Sequence, residues 1–189
     1  MRVPSIAVMA FTVALTVAAG AGTGAAKDGI PHRQVADMLY ELAYANRTVY
    51  TRDIVQRLAN EESVITASEH FREEKGLPLP AQMFRFAAEE LETNDFWLAL
   101  RSLTPINFGN GPITPVEEQG LEYVRDNPTE RFYAEEDFGG RRNIVAIYAD
   151  VASVEACVSC HNAHPESPRQ DFKIGDVMGG VVVRLFVEE

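Results

Sequence analysis

The hydrophobic pattern of this 189-residue chain changes period once, and that change limits the fold more than any other feature. From Pro31 to about Asn60, Val35, Met38, Leu39, Leu42, Ala43, Val49, Ile54, Val55 and Leu58 recur mostly three or four apart. One face of a long helix requires this spacing, and Thr51 and Asp53 mark a break in it. A polar stretch from Glu61 to Gly76 leads into Leu77-Pro78-Leu79-Pro80, whose prolines fix an extended approach to a second helix over Ala81–Leu91, ended by Asn94. Phe96, Leu98 and Leu100 alternate and predict a strand, the Gly109–Pro112 cluster a loop, and Pro115–Arg125 a short helix. Farther on, Arg131–Ala134 and Asn143–Tyr148 flank Asp137-Phe138-Gly139-Gly140 and predict a hairpin, while Gly180–Val187 is a final β-branched strand. Long helices followed by antiparallel strands make an α+β domain.

Residues 1–26 stand apart from that pattern. Their only charge is Arg2, and the apolar run Ile6–Ala19 is followed by small residues through Ala26, the layout of a secretory signal peptide. The run is shorter than the ~20 residues of a spanning helix, and Gly20–Ala26 offer small-x-small cleavage sites, which puts cleavage between Ala21 and Ala26. Residues 27–189 are then a single domain, periplasmic or secreted, with no membrane segment after cleavage. With 17 Lys+Arg against 28 Asp+Glu the chain carries −11, and loss of Arg2 makes it −12. Such a polyanion gains nothing near phosphates, which excludes nucleic acid as a partner and makes a basic protein partner the expectation.

The chemistry is concentrated in Cys157-Val158-Ser159-Cys160-His161, which holds both cysteines of the chain. C-x-x-C-H is the attachment signature of c-type haem. Two thiols three positions apart reach the two vinyl groups of one porphyrin edge as thioethers, and His161 follows as proximal axial ligand. An exported chain agrees with such attachment. Three rivals fit less well. A thioredoxin-like site opens a helix in a βαβ setting, and no parallel pattern surrounds Cys157. A zinc site needs a fourth ligand, and His164 is too near for the usual spacing. A Cys157–Cys160 disulfide would close a short, strained loop.

The stretch Glu155–Pro168, followed by Asp171-Phe172-Lys173-Ile174-Gly175-Asp176-Val177 and Gly180, resembles the single-haem PAS-like domain known as the c-type haem family domain. Asn46-Arg47 with Tyr50-Thr51, Leu77–Ala81 and Glu122–Pro128 are similar to it as well, so the resemblance covers most of residues 31–187. It implies a PAS-like antiparallel sheet with long N-terminal helices, which the element order also fits. It further implies one covalent haem c and a sensory or redox role. Fused relatives carry signalling enzymes, whereas no output domain follows Glu189 in this sequence.

The sixth ligand of the iron stays open. Some relatives are thought to use a cysteine thiolate there, and this chain has no cysteine beyond the motif. His70, in a polar stretch free to swing over a haem face, is the preferred side chain. His164, Met83, Met38, His32, water and an empty position are the others. His164 reads best as a propionate-side group, Met83 and Met38 as core, and His32 as part of a frayed terminus. For the haem propionates, Arg141, Arg142, Lys173, Arg72 and Lys75 are the available cations by sequence, though each taken singly reads best as an ordinary surface charge. Trp97, Phe132, Tyr133, Phe138 and Tyr148 read as core or haem wall. Asp171 and Asp176 around Lys173 read as fixing the loop after the motif. Two roles follow from axial identity. A weakly capped iron senses redox state or a diatomic gas and relays the change to a signalling partner; a six-coordinate iron is an electron carrier serving a redox partner. No distal acid/base pair is evident, so the chain is not expected to be an enzyme. The long first helix suits a homodimer contact.

Overall fold

The computed structural model describes residues 29–91 and 95–187; the segment read as a signal peptide lies outside them. Helix α1 (His32–Val49) continues into a π-helical segment, Tyr50–Glu61, in which the bonding has relaxed to five residues. The change falls at the anticipated break: the Thr51 hydroxyl donates to the Arg47 carbonyl at 2.7 Å and competes with the backbone ladder there. A one-turn helix α2 (Phe71–Glu74) interrupts the polar stretch. Helix α3 (Pro80–Glu90) starts on its proline, with the Gln82 side chain accepting from the Leu79 N–H at 3.0 Å. Strand β1 (Phe96–Arg101), helix α4 (Pro115–Asp126), strands β2 (Arg131–Phe138) and β3 (Arg141–Val151), helix α5 (Glu155–Ala163) and strand β4 (Val177–Phe186) complete the chain. All strand pairs are antiparallel, in the order β1-β4-β3-β2. The fold is α+β and PAS-like.

Several boundaries differ from the sequence reading. The hairpin turn is only Gly139-Gly140, both at positive φ (64° and 79°), so Asp137 and Phe138 belong to β2. Two successive positive φ values match the right-handed twist of the strands and favour glycine at both sites. Strand β4 starts three residues before the expected Gly180. Met38 and Leu42, placed above on the buried face of the first helix, are 54 % and 66 % exposed, and Val49 is exposed as well. The face of α1 that meets the sheet keeps Val35, Leu39 and Ala43 of the expected set and adds Ala36 and Tyr40.

Both faces of the sheet are covered, which is why β3 and β4 read as continuous apolar runs. On one face Leu98, Ala146, Tyr148, Val181, Val183 and Leu185 meet Ala36 of α1 and Phe84 and Ala88 of α3. On the other, Val145, Ile147, Ala149 and Val182 meet Leu121 and Val124 of α4. Close approach there requires Gly120, since a Cβ on it would lie 2.5 Å from Ile147 Cδ1. Helix α1 is latched to the sheet by Asp37, which accepts from Tyr133 Oη (2.6 Å) and Tyr148 Oη (2.8 Å) and pairs with Arg131 Nη1 (2.7 Å). Burial alone would raise the pKa of Asp37, but the two phenols and the guanidinium outweigh it and hold the carboxyl below the usual carboxylate value. Its stabilising share is therefore present above the unfolded value near ~3.9 and is lost as pH falls through the lower folded one. Asp37→Asn is expected to cost about 1–3 kcal/mol at neutral pH. Urea unfolding of variant and wild type should converge below pH ~4.

Candidate haem-binding cavity

Helix α5 follows β3 after three residues and is tied down at both ends. The Ala156 N–H donates to Gln56 Oε1 of the π-helical segment at 3.1 Å. Asn162 Nδ2 donates to the Phe172 carbonyl, and the Phe172 N–H donates to Asn162 Oδ1, both at 2.9 Å. The buried Phe172 ring stands edge-on to His161, with centroids 5.8 Å apart and planes at 87°. As expected, Asp176 fixes the loop before β4, accepting from the Lys173 N–H (3.1 Å), while Arg169 bridges Asp171 and Asp176.

Positions 157, 160 and 161 stand at i, i+3 and i+4, so a helix turns them onto one face. All three line a cavity of about 880 Å³, toward the upper end of the ~300–1,000 Å³ typical of cofactor sites. Both cysteines are free thiols. Burial pushes His161 below the ordinary imidazole pKa; the Arg47 and His164 charges act in the same direction and Asp150 opposes them. The ring is therefore neutral at neutral pH, with a lone pair available to a metal. Much of the rest of the wall comes from Thr51 and Val55 of the π-helical segment, Pro80–Gln82 of α3, Trp97–Arg101 of β1 and Thr104–Asn110 of the loop after it, with Glu69, Glu89 and Glu166 also on it. Trp97 and Phe138 also line it, whereas Phe132, Tyr133 and Tyr148 sit in or against the core clusters.

The side chains considered for the sixth position are not brought to this wall. His70 is exposed at the start of α2, His32 is exposed at the first residue of α1, and Met83 is half-buried in α3. Met38 is exposed, and His164 Nε2 pairs with Glu69 Oε1 at 3.0 Å. None of the five lines the cavity. Met178, at the start of β4, does, and like Cys157 it packs against the small cluster of Ala152, Val158 and Phe172. Nothing in the sequence singles it out, because it sits in an apolar strand. The cations differ as well: Arg141, Arg142, Lys173, Arg72 and Lys75 do not line the cavity, while Arg47, Arg85 and Arg101 do. Sequence proximity to the motif is a poor guide here, since the wall is assembled from elements far apart in the chain. His70→Ala is accordingly expected to leave the absorption spectrum of the haem-loaded protein unchanged.

Residues 31–185 match the family model described as Tll0287-like. The chain belongs to the Tll0287-like family. This is a family of haem-binding PAS-like domains, and the cavity fits such a group on its own chemistry. It combines two free thiols and a neutral imidazole on one helix face with a wall of mixed apolar and charged side chains and ample volume. One of its arginines, Arg47, has a buried Nε–H without a hydrogen-bond partner, as a site for a group bearing carboxylates would have. No curated protein and no solved structure matches the chain.

Proposed function

We propose that this chain is an exported mono-haem c-type protein that senses redox state or a small ligand through its haem iron. Cys157 and Cys160 would hold the porphyrin as thioethers and His161 would be the proximal ligand. The observation that carries this reading is the common placement of these three side chains on the cavity face of α5. Bound haem supplies one-electron redox chemistry and a site for diatomic ligands. The protein's part is to hold the imidazole neutral and set the charge nearby. Sensing draws support from the absence of His32, Met38, His70, Met83 and His164 from the wall, which leaves the sixth position to an outside ligand or to Met178. The role is one of binding and redox change rather than turnover, in the periplasm or outside the cell, with a basic protein partner.

The alternative is an electron carrier, and Phe108 favours it. This side chain is 92 % exposed on the loop that lines the cavity and offers an apolar contact to a docking redox partner. Spectra of the reduced protein with and without carbon monoxide separate the two. Immediate binding by the wild type supports sensing. A wild type that fails to bind, beside a Met178→Leu variant that binds, identifies Met178 as the sixth ligand and supports the carrier. Failure of both to bind overturns the sensing proposal.

A further inference from the structure

The ion pair Arg47–Asp150 joins α1 to β3, and it stands in the wall of the proposed haem cavity. Arg47 Nη1 donates to Asp150 Oδ1 at 2.6 Å, with only 15 % and 14 % of the two side chains exposed. Arg47 Nε is buried and unpaired. Such a pair is a weak source of stability, because desolvation of both charges offsets most of their attraction, and an apolar pair of similar volume would serve as well or better. Its position is what distinguishes it. Both residues line the cavity with Cys157, Cys160 and His161, and both also line a small recess behind Cys157. The other cavity cations are placed differently: Arg85 lies near the surface, 3.4 Å from Glu89, and Arg101 is committed to the Gly109 and Gly111 carbonyls of the loop.

Resting on the haem reading above, we propose that Arg47 and Asp150 are positioning residues that set the iron's reduction potential through charges of opposite sign, largely shielded from water, beside its proximal ligand and thioether edge. The physical basis is Coulomb's law in a medium that screens poorly. Loss of an electron adds a positive charge at the metal. Asp150 stabilises that oxidised state and lowers the potential, whereas Arg47 destabilises it and raises the potential. As a pair they nearly cancel, so a change at either one is read directly at the metal.

The test is a spectroelectrochemical titration of the exported, haem-loaded protein and its Asp150→Asn, Arg47→Gln and double variants. Asp150→Asn keeps an oxygen acceptor for Arg47 and is expected to raise the potential. Arg47→Gln is expected to lower it, each shifting the balance of oxidised to reduced protein on the order of tenfold. The double variant is expected to return close to wild type, and Arg47→Lys, which keeps the charge, to remain there. A merely structural pair would move both single variants in the same direction as water enters the cavity, and that result overturns the proposal. If Arg47→Gln does not fold, Asp150→Asn and Arg47→Lys still decide: an unchanged or lowered potential in Asp150→Asn overturns it. A colourless wild type instead overturns the haem reading and this inference with it, so the two failures are distinguishable.

Discussion

Protein carrying Cys157→Ala together with Cys160→Ala, produced in a host that attaches c-type haem, is expected to be recovered without colour and with the mass of the polypeptide alone. Each single variant should keep one thioether and show a reduced absorption band shifted to longer wavelength, because one vinyl group then stays conjugated with the ring. The fold should survive all three changes. Cys160 is exposed and Cys157 half-buried, and neither belongs to the two clusters that cover the sheet. Intact-mass measurement, absorption and far-ultraviolet circular dichroism on the same preparations check this. A wild type of bare polypeptide mass would remove covalent haem from consideration, and a coloured double variant would remove the assigned thioethers.

The largest effect on stability is expected at Arg184→Met, which should cost about 3–5 kcal/mol in guanidinium unfolding. Strand alternation turns Arg184 to the α4 face of the sheet, where it is fully buried. There it donates to Glu117 Oε1 (2.9 Å), to Asn143 Oδ1 (2.7 Å) and to Glu136. Its guanidinium lies over the rings of Phe138 (4.3 Å) and Trp97 (5.0 Å). Glu117 has no exposure either and also accepts from the Ile113 N–H at 2.9 Å. Removing the arginine leaves the buried Glu117 carboxylate with only its longer 3.7 Å pair to Arg101, and that is the costly event; the apolar replacement itself is well tolerated. The double variant Arg184→Met/Glu117→Gln should therefore be more stable than Arg184→Met alone. A double variant that is less stable would show that packing against Trp97 and Phe138, and not the unpaired charge, dominates.

Where a buried face repeats at one period, the element could be read directly. Strands β1, β3 and β4 and helices α3 and α4 fall within a few residues of expectation for this reason. Helix α5 could not be read that way. Its sequence Glu155-Ala156-Cys157-Val158-Ser159-Cys160-His161 mixes small and β-branched residues of modest helix propensity, and one face turns toward a cavity rather than a core. The exposed stripe Met38, Leu42, Val49 misled for the opposite reason: apolar spacing identifies a helix but not which of its sides is covered.

The motif was legible because its chemistry is local. Two thiols and an imidazole within five residues need only one turn of chain to share a face, whatever surrounds them. The wall opposite was not, since Arg47 and Asp150 meet across 103 positions and Met178 enters from the last strand. By itself the sequence determined the type of most elements and the Cys157-x-x-Cys160-His161 motif, which depend on neighbours along the chain. Only the tertiary structure decided which charges and donors stand beside them, because it is the pairing of β3 with β4 and the docking of α1 on that sheet that bring distant residues within reach.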